Sequence, residues 1–391
     1  MRVLIALTYY RPHISGLTIY AERLARGLAA RGHEVTVLTS RFAPALPARE
    51  VVDAVTIVRV PIVTKVSKGV IMPAFPAYAA ALVRRHEVVN IHVPQLEAAL
   101  LAGLGRLAGR GVVLTYHCDL RLPGGWFNRL VERNLSPLNA LAARVAHAIV
   151  VNTADYAEHS PFLARYRDKL HPILPPIDFP SPSDAVTRRL VTTWKLDGSA
   201  RIGFAARFAA EKGVEYLLRA LPRVLAAHPS ARVFFTGAYK DTVGEEEYWH
   251  RLAPLLAQHR DRLTFLDLLR PEEMPSFFSL CDVVAVTSLN LTESFGLVQA
   301  EAMLAGTPVV ATDLPGVREA VRRTGMGLIV PPRDPEALAA ALIEVLDRRA
   351  AYVKPRAAVA ACFDLENSLR SYEALFARVR QPALTAEPAR S

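Results

Sequence analysis

Cysteine is scarce. Three residues in 391, Cys118, Cys281 and Cys362, form an odd and widely scattered set. A disulfide framework is therefore excluded, and a cytoplasmic protein with reduced thiols is expected. Cys118 stands beside His117, but no second Cys/His pair lies at ligand spacing, so no metal centre is expected there. Long apolar runs are missing too. The longest, Val70 to Val83, is interrupted by Pro73 and Pro76 and is too short to span a bilayer. The first residues, Met1 to Leu7, turn polar too soon for a signal peptide and read as a strand.

What is present is apolar material for large cores: 51% hydrophobic residues and a mean hydropathy of +0.19. The length suits two or three domains. Short β-branched runs alternate with amphipathic ones. In the first half the strand candidates are Val3–Leu7, Val35–Thr39, Thr56–Val60, Val88–His92, Val112–Tyr116 and Ala148–Asn152. In the second they are Ile202–Ala206, Val233–Thr236, Leu263–Leu266, Val283–Thr287, Pro308–Ala311 and Gly327–Val330. Helical stretches such as Thr18–Arg31, Trp126–Ala143, Val214–Ala227 and Pro335–Leu346 separate them. Two successive βαβ arrays predict an α/β protein with two parallel, doubly wound sheets. Between the arrays, residues 172–183 hold five prolines, a stiff linker. Ligands of such sheets bind at the carboxyl ends of strands, and with two sheets facing each other the cleft between them is the expected site.

The net charge of +10 is uneven. Residues 1–178 hold 21 Lys/Arg against 12 Asp/Glu, the remainder 26 against 25. The two halves are expected to meet different partners.

Two segments carry chemistry. Glu293-Ser294-Phe295-Gly296-Leu297 runs into a helical stretch that contains Glu301 and is closed by Gly306. A helix N-terminus there offers unpaired N–H groups to a phosphate, and a carboxylate on either side can accept hydroxyl hydrogen bonds. Hydroxyls, phosphates and hydroxyls in that order describe a sugar–diphosphate–ribose molecule. The second segment, Arg201 to Gly213, brings Arg207 to the end of a strand and Lys212 to the turn into the next helix. A planar fork and a point charge at such a junction suit a diphosphate.

Together these segments resemble the retaining GT-B glycosyltransferases of the group 1 or family 4 type. The resemblance covers nearly the whole chain. It implies two Rossmann-like doubly wound domains facing across a cleft: residues 1–175 bind the acceptor and residues 176–360 bind the nucleotide-sugar. Residues 361–391 then form a C-terminal helix, packing back on the first domain, and a disordered tail. Arg207 and Lys212 match the family's contacts to the donor diphosphate. Glu293 matches the glutamate that holds donor-sugar hydroxyls, and Glu301 the one that holds the ribose. Ser294, Phe295, Gly296 and Leu297 would lie along the donor, the last three with their backbone at the phosphates.

In the first half, Tyr10-Arg-Pro-His13-Ile-Ser15-Gly16 resembles the family's loop between donor phosphate and acceptor, with Ser15 where a glycine is expected. Gly16 falls to the donor, His13 and Ser15 to the acceptor side. His117, at the end of a strand, resembles the family's His at the donor sugar, and Asp119 is a further acceptor-side candidate. Asp267 stands where the family has a glycine near the base.

The resemblance implies a retaining hexosyl transfer from a UDP-, GDP- or ADP-sugar to a hydroxyl of a sugar, a glycan or a lipid-linked acceptor. Arg207, Lys212, Glu293 and His117 are the catalytic set. No cofactor and no metal are expected, since no Asp-x-Asp occurs to bridge a divalent ion to the diphosphate. A nucleotide-sugar epimerase of similar architecture and a non-catalytic sugar-nucleotide-binding protein are the alternatives. Nucleic acid is not among the expected partners. An anionic membrane surface is: Lys65 to Arg85 sets apolar residues between basic ends, and Trp126, Phe127, Arg129 and Arg133 repeat the theme.

Overall fold

The computed structural model describes residues 1–66, 69–119, 126–194, 196, 198–239 and 245–380, with the backbone alone for 126–132 and 134. The chain divides into two compact units, residues 1–176 with 365–391, and residues 177–364.

The first unit is built on strands β1 (Arg2–Ala6), β2 (Glu34–Arg41), β3 (Arg49–Val52), β4 (Val55–Pro61), β7 (Val88–Val93), β8 (Gly111–Tyr116), β9 (Ala148–Val151) and β10 (Leu170–Pro172); β5 (Thr64–Val66) and β6 (Gly69–Ile71) form a separate hairpin. The sheet order is β10-β9-β8-β7-β1-β2-β4-β3. All neighbours are parallel except β3, which pairs antiparallel with β4 at the edge. The central strands β7, β8 and β9 are buried along their whole length. Helices on both faces explain their unbroken β-branched runs. On one face, Tyr20, Leu24 and Leu28 of the helix Gly16–Ala30 pack with Leu369, Tyr372 and Phe376 of the helix Leu365–Arg380. Arg31 and His33 anchor the latter through Glu373, and Arg380 does so through Glu87.

The segment expected at a bilayer turns part of its apolar surface inward, while Ile71, Ala77 and Ala81 stay exposed. Phe75, Ala79 and Val83 of the helix Phe75–Arg85 are buried. Lys68 and residues 381–391 lie outside the described residues, as do the side chains of Trp126, Phe127 and Arg129. Among the described residues no helix is long and apolar enough to cross a membrane.

The second unit carries β11 (Arg201–Ala205), β12 (Arg232–Thr236), β13 (Leu263–Phe265), β14 (Val283–Val286), β15 (Val309–Thr312) and β16 (Gly327–Val330), all parallel, in the order β13-β12-β11-β14-β15-β16. Val214, Leu217, Leu218, Leu221 and Val224 of the helix Val214–Ala227 recur at helical spacing and bury one stripe in its core. The chain winds outward from β11 to β13 and returns to the other side of β11 as β14. The strand order therefore reverses between β11 and β14, where crevices form outside the carboxyl ends of strands.

Candidate active site

Lys212 follows β11 and Glu293 follows β14, so the reversal point brings them together across 81 positions of sequence. Lys212 Nζ donates to Glu293 Oε2, and both side chains keep about a fifth of their surface exposed. Arg207, more exposed, pairs with Glu211 one turn on. The two loops are laced by backbone. Thr287 Oγ1 donates to the carbonyls of Lys212 (2.7 Å) and Gly213 (3.1 Å), and the Leu289 amide donates to Glu211 O at 2.9 Å. Gly213 lies at φ +64, and a Cβ there would stand 2.3 Å from the Thr287 carbonyl. Only glycine allows both the turn and this close approach.

The helix expected from Gly296 runs Leu297–Leu304, with Gly296 at φ +75 as its N-cap. Gln299 fixes this terminus. Its Nε2 donates to Phe295 O and to Val317 O, each at 2.9 Å, and a Cβ on Gly296 would meet that nitrogen at 2.7 Å. The first amides of the helix have no intrahelical acceptors and supply a partial positive charge beside Glu293. Ser294 and Phe295 are buried, and so is Glu301, 5% exposed within the helix. Asp267 has φ +52, and its carbonyl accepts from Gly237 N and Thr236 Oγ1, both at 3.0 Å. The backbone has thus kept the conformation of a glycine, which Asp tolerates better than most residues.

In the first unit, Ser15 caps the helix Gly16–Ala30, accepting from Thr18 N at 3.2 Å, and Gly16 is exposed at its start. His13 stacks on Tyr9 with ring centroids 4.8 Å apart. Asp119 is held by its neighbours: Tyr116 OH and Ser160 Oγ donate to its Oδ1 at 2.6 and 2.7 Å, and its amide donates to Tyr156 OH at 2.7 Å. Loop bracing accounts for every one of these bonds.

His117, just past β8, donates its amide to Val93 O at 3.1 Å. Its Nε2 lies 2.8 Å from Nδ1 of His92, and Tyr20 packs edge-on against its ring. Burial pushes the His117 imidazole down to about 3 and holds His92 well below the usual histidine range. Sequence reasoning missed His92. The signal was there: Asn90 and His92 are polar residues two apart, on one face of an otherwise apolar strand.

Histidines held neutral, His92 fully buried and His117 part-buried, make the fold acid-labile. An unfolded histidine takes up a proton near 6.5, whereas folded His117 waits until about 3. Its stabilising contribution is present above the unfolded value and falls by about 1.4 kcal/mol per pH unit between the two. Thermal melts from pH 7 to pH 4 are expected to show falling stability, with a shallower fall in His117→Gln. An equal slope in that variant would show that His117 is not held neutral.

Among the described residues no cluster of His, Cys, Asp and Glu could hold a metal ion. Residues 15–176 match the profile of the glycosyl transferase 4-like domain, and residues 199–348 that of the glycosyl transferases group 1. The 2-deoxystreptamine N-acetyl-D-glucosaminyltransferase of Streptomyces fradiae is 30% identical over 354 residues, 83% of this chain and 81% of that enzyme. The chain belongs to the group 1 glycosyltransferases. A second relative, the phosphatidyl-myo-inositol mannosyltransferase of Mycolicibacterium smegmatis, is 28% identical to this group 1 glycosyltransferase over 90% of the chain and 87% of that enzyme. The structure of Anabaena HepE with UDP matches the glycosyltransferase fold at a TM-score of 0.76 and 19% identity, over 97% of this chain and 100% of that one. The fold is GT-B, with two Rossmann-like α/β domains.

Proposed function

We propose that this glycosyltransferase moves a hexose from a nucleotide-diphosphate sugar to a hydroxyl acceptor with retention of configuration. The observation that carries this reading is the Lys212–Glu293 pair beside the helix terminus at Gly296, with Arg207 on the adjoining turn. Cations and helix amides stabilise the charge that builds on a departing diphosphate. Glu293 accepts hydroxyls of the donor sugar, and Glu301 those of the ribose. The acceptor oxygen bonds to the anomeric carbon as the carbon–phosphate oxygen bond breaks on the same face. The leaving diphosphate takes the acceptor's proton. His117 meets a hydroxyl of the donor sugar.

The acceptor falls to the first unit. The relatives' names specify 2-deoxystreptamine and phosphatidyl-myo-inositol, both hydroxyl-bearing molecules, which supports a sugar, glycan or lipid-linked acceptor here. An anionic membrane surface rests mainly on the excess of Lys and Arg in residues 1–178, because the large apolar residues Phe75 and Val83 of the helix Phe75–Arg85 are buried.

Release of free nucleoside diphosphate, with the product's anomeric configuration read by NMR, tests the reading. An inverted product would contradict retention, and nucleotide-sugar that is bound but never turned over would favour the binding-protein alternative. Because Arg207, Lys212 and the helix supply the positive charge, transfer is expected to continue at full rate in excess chelator. Complete loss of activity, restored by added divalent ion, would contradict this.

A further inference from the structure

The reaction outlined above gives no task to the histidine most deeply buried beside His117. His92 is fully buried on β7, where it pairs in register with Thr115, two residues before His117 on the next strand. It sits in a chain of hydrogen bonds whose direction can be worked out from its far end. Asn90 Nδ2 lies 2.9 Å from Thr115 Oγ1 and 3.4 Å from the carbonyl of Val113. A carbonyl only accepts, so the amide nitrogen faces Val113 and the amide oxygen faces His92. That oxygen lies 2.9 Å from His92 Nε2 and also only accepts, so His92 Nε2 carries the proton. A neutral imidazole has one proton, which leaves His92 Nδ1 as a lone pair. The atom 2.8 Å from it, Nε2 of His117, must then be the donor.

We propose that His92 is a positioning residue that holds His117 as its Nε2–H tautomer, leaving Nδ1 of His117 as the ring's acceptor for a hydroxyl of the bound sugar. The proposal rests on the assignment of His117 to the donor sugar made above. Further support is geometric. The His92 and His117 rings stack with centroids 5.0 Å apart, and Tyr20 abuts both edge-on. Thr115 Oγ1 continues the chain to Tyr372 OH at 3.0 Å, and Tyr372 OH to Tyr20 OH at 2.8 Å. Burial keeps both phenols protonated and both imidazoles neutral. The orientation of His117 is thus tied to the helix Leu365–Arg380, which carries Tyr372. At metal-bound histidines, removing the partner that fixes the tautomer costs about 10–100-fold, and a loss of that order is expected here.

The test is NMR of the full chain labelled with 15N-histidine, with the His117 signals assigned by their loss in His117→Gln. His117 is expected to show a protonated Nε2 and an unprotonated Nδ1 at neutral pH. In His92→Phe, which has no acceptor, that preference should vanish and kcat should fall about 10–100-fold with little change in KM. In His92→Asn the side-chain oxygen can stand where Nδ1 stood, so the tautomer and most of kcat should return. A protonated Nδ1 on His117 in the unaltered protein overturns the proposal without any variant, and so does an unchanged tautomer in folded His92→Phe. Unimpaired transfer by His117→Gln would instead remove the sugar contact, from this proposal and from the reading beneath it.

Discussion

Replacing Lys212 by alanine is expected to lower kcat/KM by about 2–4 kcal/mol, roughly 30- to 1,000-fold, the scale of losing one preorganised charge donor. Arg207→Ala should do the same. The Lys212–Glu293 pair sharpens the expectation. Lys212 is held in place by a carboxylate before the diphosphate arrives, so little reorganisation is needed when charge develops on the leaving group. The same pairing predicts non-additivity. Adding Glu293→Gln to Lys212→Ala should cost less than the sum of the two single losses, because the residues touch. Wild-type turnover in both Arg207→Ala and Lys212→Ala, measured with the same donor, would remove the diphosphate assignment.

The two glutamates are expected to fail in different ways. Glu293→Gln should lower kcat by about 100-fold, since it loses a contact to the reacting sugar. Free nucleoside diphosphate should bind this variant as tightly as wild type, or more tightly, because Lys212 no longer shares its charge with a carboxylate. Glu301→Gln should weaken that same nucleotide by about 1.5–3 kcal/mol, the range of a hydrogen bond to a charged group. Glu301 is buried in the helix, whereas Glu293 precedes it and is part-exposed. Calorimetry with the free nucleotide separates the two. Unaltered affinity in Glu301→Gln would show that the ribose does not rest on it.

Much of the fold was legible because its strands are buried on both faces. Runs such as Val88–Val93 and Val283–Val286 show in the sequence as near-continuous β-branched blocks. The strands that went unseen lack that signature. β3 alternates exposed and part-buried residues at the antiparallel edge, and β5, β6 and β10 have three residues each. At the site, residue types and local spacing pointed to Lys212 and Glu293 separately. Their ion pair depends on the reversal of strand order between β11 and β14, which no local pattern encodes. The His117 chain is hidden for a similar reason. It draws Asn90 and His92 from one strand, Thr115 from the next, Tyr20 from the first helix and Tyr372 from the last. Gln299 reads as one more polar residue in a helical run, yet its amide ties the loop before that helix to the one after β15.

The measurement nearest the central claim is binding and turnover of UDP-, GDP- and ADP-sugars by the unaltered protein and by Lys212→Ala. The account predicts that at least one of these donors binds the unaltered protein and releases its nucleoside diphosphate when a hydroxyl acceptor is supplied. In Lys212→Ala, release should fall by about 30-fold or more while the fold is retained. Failure of all three donor classes to bind, or equal release by the variant, would contradict the account.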